Sequence, residues 1–440
     1  MNNKKWMAIL LGGIMAASLA APCSVSAAEK TTLTFWHAMG GTNGEVLQQI
    51  VDDFNASQDE IEIKAEYQGT YDDTITKLKA AMQSDSGLPD VCQMYDVGTK
   101  FMYDSGAVIP VEDKFESTGY DKSSVMEVIS SYYTVDGKQY AMPFNVSTPM
   151  LYYNKDVFEA AGLDPETPPT TYDEVLEDAK KIVESGAAPV GYSQAIYGWF
   201  FEQQLAGLGV TYGNNDNGRK EAVTAVDFDS NGGGLKVFDM WKKLYDSGYF
   251  EDYGTTTADT QTAFFSGQVG MIIESTAILK NAVDSSPFEV GTGYLPRIEQ
   301  NDEGGVIIGG GSLWLTDTGN EANEDAAWKF IEYITTPDVQ AKWSMGTGYF
   351  AINEKAYETD DMKAYLKENP NFETAINQLK DSPVNCNTAG VLSGVQTEAR
   401  LTFNEIMPQV YDGKLTTQDA VDQLAASVNK AIENYNESIK

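Results

Sequence analysis

From Thr31 onward the chain alternates two hydrophobic rhythms. Residues 31–36 (TTLTFW) form a strand-length β-branched and aromatic run, and residues 45–55 then place Val46, Ile50, Val51 and Phe54 at helical spacing. Residues 61–67 predict a second strand, 71–83 a helix with Ile75, Leu78 and Met82 on one face, and 90–95 a buried strand. This order predicts a parallel sheet with helices on both faces. After residues 141–153 the alternation restarts, with a helix over 172–184, a short strand over 191–193 and a helix over 199–208. Two α/β lobes are expected. Gly- and Asn-rich stretches at 212–218 and 231–234 predict surface loops. The run 304–315 (GGVIIGGGSLWL) is an apolar strand broken by three successive glycines, which predicts close backbone approach at a crossing between the lobes. Segments 324–334, 394–411 and 417–435 complete the chain as helices.

The N-terminus departs from this pattern. Lys4 and Lys5 precede an apolar run over 6–21 and then Ser24-Val25-Ser26-Ala27-Ala28, the layout of a secretory signal peptide cleaved near Ala27 or Ala28. The run is too short and too Gly-interrupted for a membrane span. Cys23 does not sit in a good lipidation motif, because Pro22 precedes it and Ala20 lies three before it. The expected location is outside the cytoplasmic membrane, either periplasmic or, with a lipid on Cys23, attached to the cell surface.

Composition narrows the function. The 440 residues allow two or three ordinary domains. The net charge of −35, or −37 without Lys4 and Lys5, disfavours nucleic acid and anionic membranes as partners. A small anionic ligand remains compatible if local donors in a cleft outweigh the diffuse field. Cys92 and Cys386 make no disulfide framework, and Cys92 in its apolar run reads as a buried thiol. With His37 as the single histidine, neither an imidazole metal cluster nor a second candidate for a nucleophile triad exists. His37 itself, at the end of the first strand, reads as a positioned aromatic. No phosphate-binding loop, EF-hand or dinucleotide fingerprint is present. Catalysis, metal and cofactor therefore have no support in the sequence. Aromatic and small donor residues gather instead at strand ends and turns, such as Gly69-Thr70-Tyr71, Tyr95-Asp96, Ser147-Thr148, Ser275-Thr276 and Thr347-Gly348-Tyr349. Ligands of open α/β sheets bind at such edges.

Several runs resemble the extracellular solute-binding proteins of carbohydrate ABC importers, and within them the branch that binds sn-glycerol 3-phosphate. They include Thr34-Phe35-Trp36-His37, Pro143-Phe144-Asn145-Val146-Ser147-Thr148-Pro149, Leu151-Tyr152-Tyr153-Asn154-Lys155-Asp156, Ile307-Ile308-Gly309-Gly310, Ser312-Leu313-Trp314 and Thr347-Gly348-Tyr349. The resemblance spans essentially the whole chain after the signal peptide and implies a two-lobed periplasmic-binding-protein-like α/β fold with ligand between the lobes. It implies lobe 1 over 29–147 plus 308–350 and lobe 2 over 148–307 plus 351–440, with hinge crossings near 143–153, 307–312 and 348–353. It also implies ligand contacts from Tyr71, Ser147, Ser275, Gly310, Tyr349 and Arg400, chiefly around a phosphate. Arg400 would supply the charge-assisted bonds.

Two positions depart from that branch. Asp96 stands where a longer Glu would hold the glycerol hydroxyls, and Ile196 replaces the first of two Trp, leaving Trp199 as the second. Both changes enlarge the site and favour a glycerophosphodiester such as glycerophosphocholine over bare glycerol 3-phosphate. Trp199 and Tyr71 could also face a quaternary ammonium. The alternatives are an oligosaccharide receptor and, more remotely, a glycerophosphodiester-cleaving enzyme. The expected partners are a small glycerophosphate-type ligand and the permease subunits of an importer. The chain itself is expected to be a monomer.

Overall fold

The computed structural model describes residues 30–84 and 87–439. The expected signal peptide and Cys23 lie outside them. Twelve strands appear in chain order: β1 (Thr31–His37), β2 (Ile61–Tyr67), β3 (Val91–Tyr95), β4 (Val108–Ile109), β5 (Thr134–Val135), β6 (Lys138–Gln139), β7 (Met142–Ser147), β8 (Pro149–Asn154), β9 (Val190–Ser193), β10 (Val269–Ser275), β11 (Val290–Gly293) and β12 (Gly309–Thr316). They form two main sheets, β2-β1-β3-β12-β4 with β7 on β12, and β11-β8-β10-β9, plus a hairpin of β5 and β6. Each main sheet is the spine of one lobe.

The first half of the pattern becomes what its periodicity predicts. Helix Gly41–Ser57 buries Leu47, Ile50, Val51 and Phe54, and β1 pairs in parallel with both β2 and β3. The sheet is nevertheless mixed. β12 runs antiparallel to β3, β4 and β7, because the chain enters it on its return from the other lobe rather than through a helical crossover. Helix Glu321–Ile334 covers this sheet, with Phe330 against Phe54 at 5.2 Å between ring centroids. In the second lobe Phe201 of helix Gly198–Gly207 packs on Phe403 of helix Gln396–Tyr411 at 5.1 Å. Burial of such aromatics dominates core energetics.

The chain passes between the two sheets before β8 and again before β12. Thr148 alone separates β7 of one sheet from β8 of the other, and its N–H donates to Thr276 Oγ1 at 3.1 Å. Upstream of β12, Ile307 is clamped by Gln203, which donates Nε2 to its carbonyl and accepts its N–H, both at 2.8 Å. Only residues from Gly309 onward are strand, so the three successive glycines open β12 and pair with β7, while residues 304–308 are not strand. The third crossing is elsewhere than expected. Residues 348–353 stay with the first lobe, since Phe350 N–H donates to Val146 O at 2.9 Å and Asn353 bridges Val125. The chain reaches the second lobe at Asn371, whose Nδ2 donates to Val290 O at 2.9 Å. The hydrogen bonds that hold this segment are long-range, and its local sequence carries no sign of them. The 212–218 stretch is a tight turn in which Asn215, Asp216 and Asn217 all take left-handed φ, a conformation these side chains tolerate. The stretch 231–234 is half loop, half helix: Gly233 already begins helix Gly233–Asp246.

Candidate ligand-binding site

The cleft between the sheets is built around one guanidinium. Arg400 lies in the first turns of helix Gln396–Tyr411, and Gly198 lets helix Gly198–Gly207 approach it, because a Cβ there would meet Arg400 Cα at 2.5 Å. That contact brings Glu202 into reach. Arg400 Nε donates to Glu202 Oε1 at 2.7 Å and Nη2 to Oε2 at 2.8 Å, a bidentate pair. Asp96, immediately after β3, arrives from the other lobe and accepts from Nη2 at 2.6 Å and from Nη1 at 3.5 Å. All three side chains are buried. Burial works against the charge of Arg400, but Asp96 and Glu202 outweigh it and hold its pKa well above the ordinary value. Burial likewise pushes Glu202 up, opposed by Arg400 and by Gln396, which donates Nε2 to Glu202 Oε1 at 3.0 Å. Two carboxylates thus face one cation.

Around this cluster stands a ring of aromatic and hydroxyl groups. Thr70 and Asp73 form a capping box that starts helix Tyr71–Met82 at the cleft. The Tyr71 ring stacks on Tyr95, 5.1 Å between centroids and 7° from parallel. Asn145 donates Nδ2 to Tyr71 OH at 2.7 Å and is itself oriented by Gln93 Nε2 at 2.7 Å. Tyr349 joins the same network, in contact with Tyr71 and Asn145, and stacks on Trp343 at 5.6 Å. Burial raises the pKa of both Tyr71 and Tyr349. Tyr95 OH donates to Asp72 at 2.9 Å and lies 2.9 Å from Thr397 Oγ1 on the Arg400 helix, a second link across the cleft.

The backbone of the crossings completes the site. Ser147 ends β7 opposite Gly309, and the Trp199 indole packs flat enough on Gly309 that a Cβ there would meet its ring at 2.7 Å. The Trp199 Nε1 donor is buried without a hydrogen-bond partner among the described residues. Gly310 has φ +91°, and a Cβ would overlap the Asn145 carbonyl oxygen. Gly310→Ala is therefore expected to cost about 3 kcal/mol or more in urea denaturation, through strain and steric overlap together; a loss under about 1 kcal/mol would show that the tract yields. Ser275 ends β10, where its Oγ accepts from Ala277 N–H at 3.1 Å and its carbonyl accepts from Tyr152 OH at 2.7 Å.

The structure thus brings Tyr71 and Tyr349 together, places Ser147, Gly310 and Trp199 along one crossing, and sets Ser275 beside the other at Thr148. Asp96 and Arg400, to which the resemblance gives separate parts of a ligand, bond each other directly across the lobes. Ile196 is wholly buried in the second-lobe core, with its N–H donating to Gly254 O at 2.9 Å. Sequence reading overlooked Glu202, Asn145 and Gln93. Glu202 had a signal, an acid within the otherwise uncharged helix Gly198–Gly207. His37 accepts from Met39 N–H at Nδ1, 3.2 Å, and burial lowers its pKa to about 4, so it is neutral at physiological pH. Cys92 and Cys386 are free thiols. Among the described residues no group of three or more His, Cys, Asp or Glu side chains could hold a metal ion, and no helix is long and apolar enough to cross a membrane.

Residues 49–374 match the model of the family described as bacterial extracellular solute-binding protein. The chain belongs to this family. It is 31% identical over 417 residues to the sn-glycerol-3-phosphate-binding periplasmic protein UgpB of Escherichia coli, covering 93% of this chain and 94% of that protein. Among solved structures, the cyclic α-maltosyl-1,6-maltose binding protein of Arthrobacter globiformis superposes with a TM-score of 0.76 at 26% identity, over 92% of this chain and 100% of that one. UgpB of Mycobacterium tuberculosis, crystallised with glycerophosphocholine, gives a TM-score of 0.78 at 20% identity, over 93% and 100%. The two-lobed solute-binding fold is thereby established. As a solute-binding protein of an ABC importer the chain binds a small molecule and delivers it to a permease, and its relatives are binding subunits, not enzymes. Members of the family work in the periplasm or outside the cell.

Proposed function

We propose that this solute-binding protein captures a glycerophosphodiester such as glycerophosphocholine, or sn-glycerol 3-phosphate, and presents it to its permease. The reading rests on the buried Arg400 bonded across the lobes to Asp96, together with the joined hydroxyls of Tyr71 and Tyr349 and the donors Ser147, Ser275 and Gly310 at the ends of the crossing strands. A guanidinium with several neutral donors is a good phosphate cradle. The lobes close on the ligand by small rotations at the crossings, and the closed form docks on the membrane partner. The phosphate displaces Asp96 from Arg400, and Asp96 turns to the ligand hydroxyls. The unpartnered Trp199 Nε1 supports a ligand acceptor close to Gly309.

A second reading is favoured by the ion pairs themselves. Arg400 is already more than neutralised by Asp96 and Glu202, which suits a neutral sugar stacked on the Tyr71 and Trp199 rings. Titration calorimetry of the chain from residue 29 onward with glycerophosphocholine, sn-glycerol 3-phosphate and maltose separates the two. Heat from a phosphate compound and none from maltose is expected; heat from maltose alone would transfer the protein to the sugar binders.

A further inference from the structure

Arg400 offers two edges, and the two carboxylates use them differently. Glu202 takes the Nε/Nη2 edge at 2.7 and 2.8 Å from within the same lobe, on a helix that packs directly against that of Arg400 through Gly198. It cannot leave when the lobes part. Asp96 takes the Nη1/Nη2 edge from the opposite lobe, with one bond at 2.6 Å and the other stretched to 3.5 Å. A phosphate can replace Asp96 at that edge, but Glu202 remains as a permanent buried counter-charge behind the guanidinium.

We propose that Glu202 determines the charge of the ligand that this site accepts: it cancels Arg400 in advance, so that the cleft receives a monoanionic phosphodiester and disfavours a dianionic phosphomonoester. This rests on the phosphate reading above and sharpens it. With Glu202 in place, Arg400 and Asp96 leave the cleft one negative charge in excess, and every further ligand charge meets that excess at close range in a site closed to water. At an effective dielectric of about 20, one additional charge some 6–8 Å away changes affinity by roughly tenfold or more. Glu202 touches the guanidinium and Gln396, so it acts through Arg400 as a positioning and charge-setting residue.

The test compares two ligands that differ by one charge and little else, sn-glycerol 3-phosphate and its methyl phosphodiester, by calorimetry at pH 8, where the monoester is a dianion. The wild-type protein should bind the diester about tenfold tighter. Glu202→Gln, with folding checked by a thermal melt, should bring the ratio close to one through gained affinity for the monoester, whereas Glu202→Asp should keep the preference. If both esters bind and Glu202→Gln leaves the ratio unchanged, the inference falls while the phosphate reading stands. If neither ester binds the wild type, the phosphate reading falls, and this inference with it. Should Glu202→Gln fail to fold, the wild-type ratio decides, and equal or tighter binding of the monoester overturns the proposal.

Discussion

Replacing Arg400 by alanine is expected to abolish ligand binding and, at neutral pH, to destabilise the protein by about 3–5 kcal/mol. The second effect would not follow from a ligand contact alone. Among the described residues the guanidinium is the only cation bonded to Asp96 and Glu202, and its loss leaves Glu202 buried without a counter-charge. Unpaired buried carboxyls have raised pKa values, so they favour the folded state when protonated and oppose it as pH rises. The deficit relative to wild type should therefore shrink as pH falls to about 5. Urea denaturation of both proteins at pH 7.5 and pH 5 measures it. A deficit that is absent at pH 7.5, or that grows on acidification, would mean that the ion pairs are not held in solution. Arg400→Lys keeps a charge but not the fork, and should recover part of the stability and little of the binding.

Glu274 should give the protein a stability that falls between pH 5 and pH 8. It is buried at the end of β10, accepting from Gln261 Nε2 at 2.9 Å and from Ser275 N–H at 2.6 Å, and it forms no ion pair among the described residues. Burial raises its pKa to about 7, with those two hydrogen bonds opposing the rise. The folded state thus prefers the protonated acid. Its contribution is complete below the ordinary glutamate pKa and is lost as pH rises through about 7. Glu274→Gln is neutral at every pH, and Gln261 can turn its amide to suit, so the variant should gain roughly 3 kcal/mol over wild type at pH 8 and little at pH 4.5. Chemical denaturation across that range reads the difference. A constant offset would show that Glu274 keeps its ordinary pKa.

How much of this was legible beforehand differs from element to element. Helix Gly41–Ser57 and strand β2 could be read to within a few residues, because a one-sided helix and a half-buried strand write their own periodicity. The close backbone approach at Gly309–Gly311 was legible because glycine marks such a constraint locally, whereas the passage at Thr148 was implied by the resemblance alone. The crossing at Asn371 was not, since the segment before it is held to Val146 and Val125 by bonds that span some two hundred residues. The same distinction separates Arg400, singled out by a resemblance of sequence, from Glu202, whose meaning comes only from the helix that Gly198 allows against it.

The sequence by itself determined the class of the protein: two α/β lobes, an acidic chain with one histidine, and polar and aromatic residues arranged at strand ends. These properties follow from local pattern and from composition, and they survive any detail of packing. Only the tertiary structure decided the electrostatics of the cleft. Asp96, Glu202 and Arg400 lie up to 304 residues apart in the chain, and charge balance in a buried site depends on which groups come within a few ångströms of each other where water is excluded. That condition is set by the packing of helices and the closure of lobes, which the order of residues does not display.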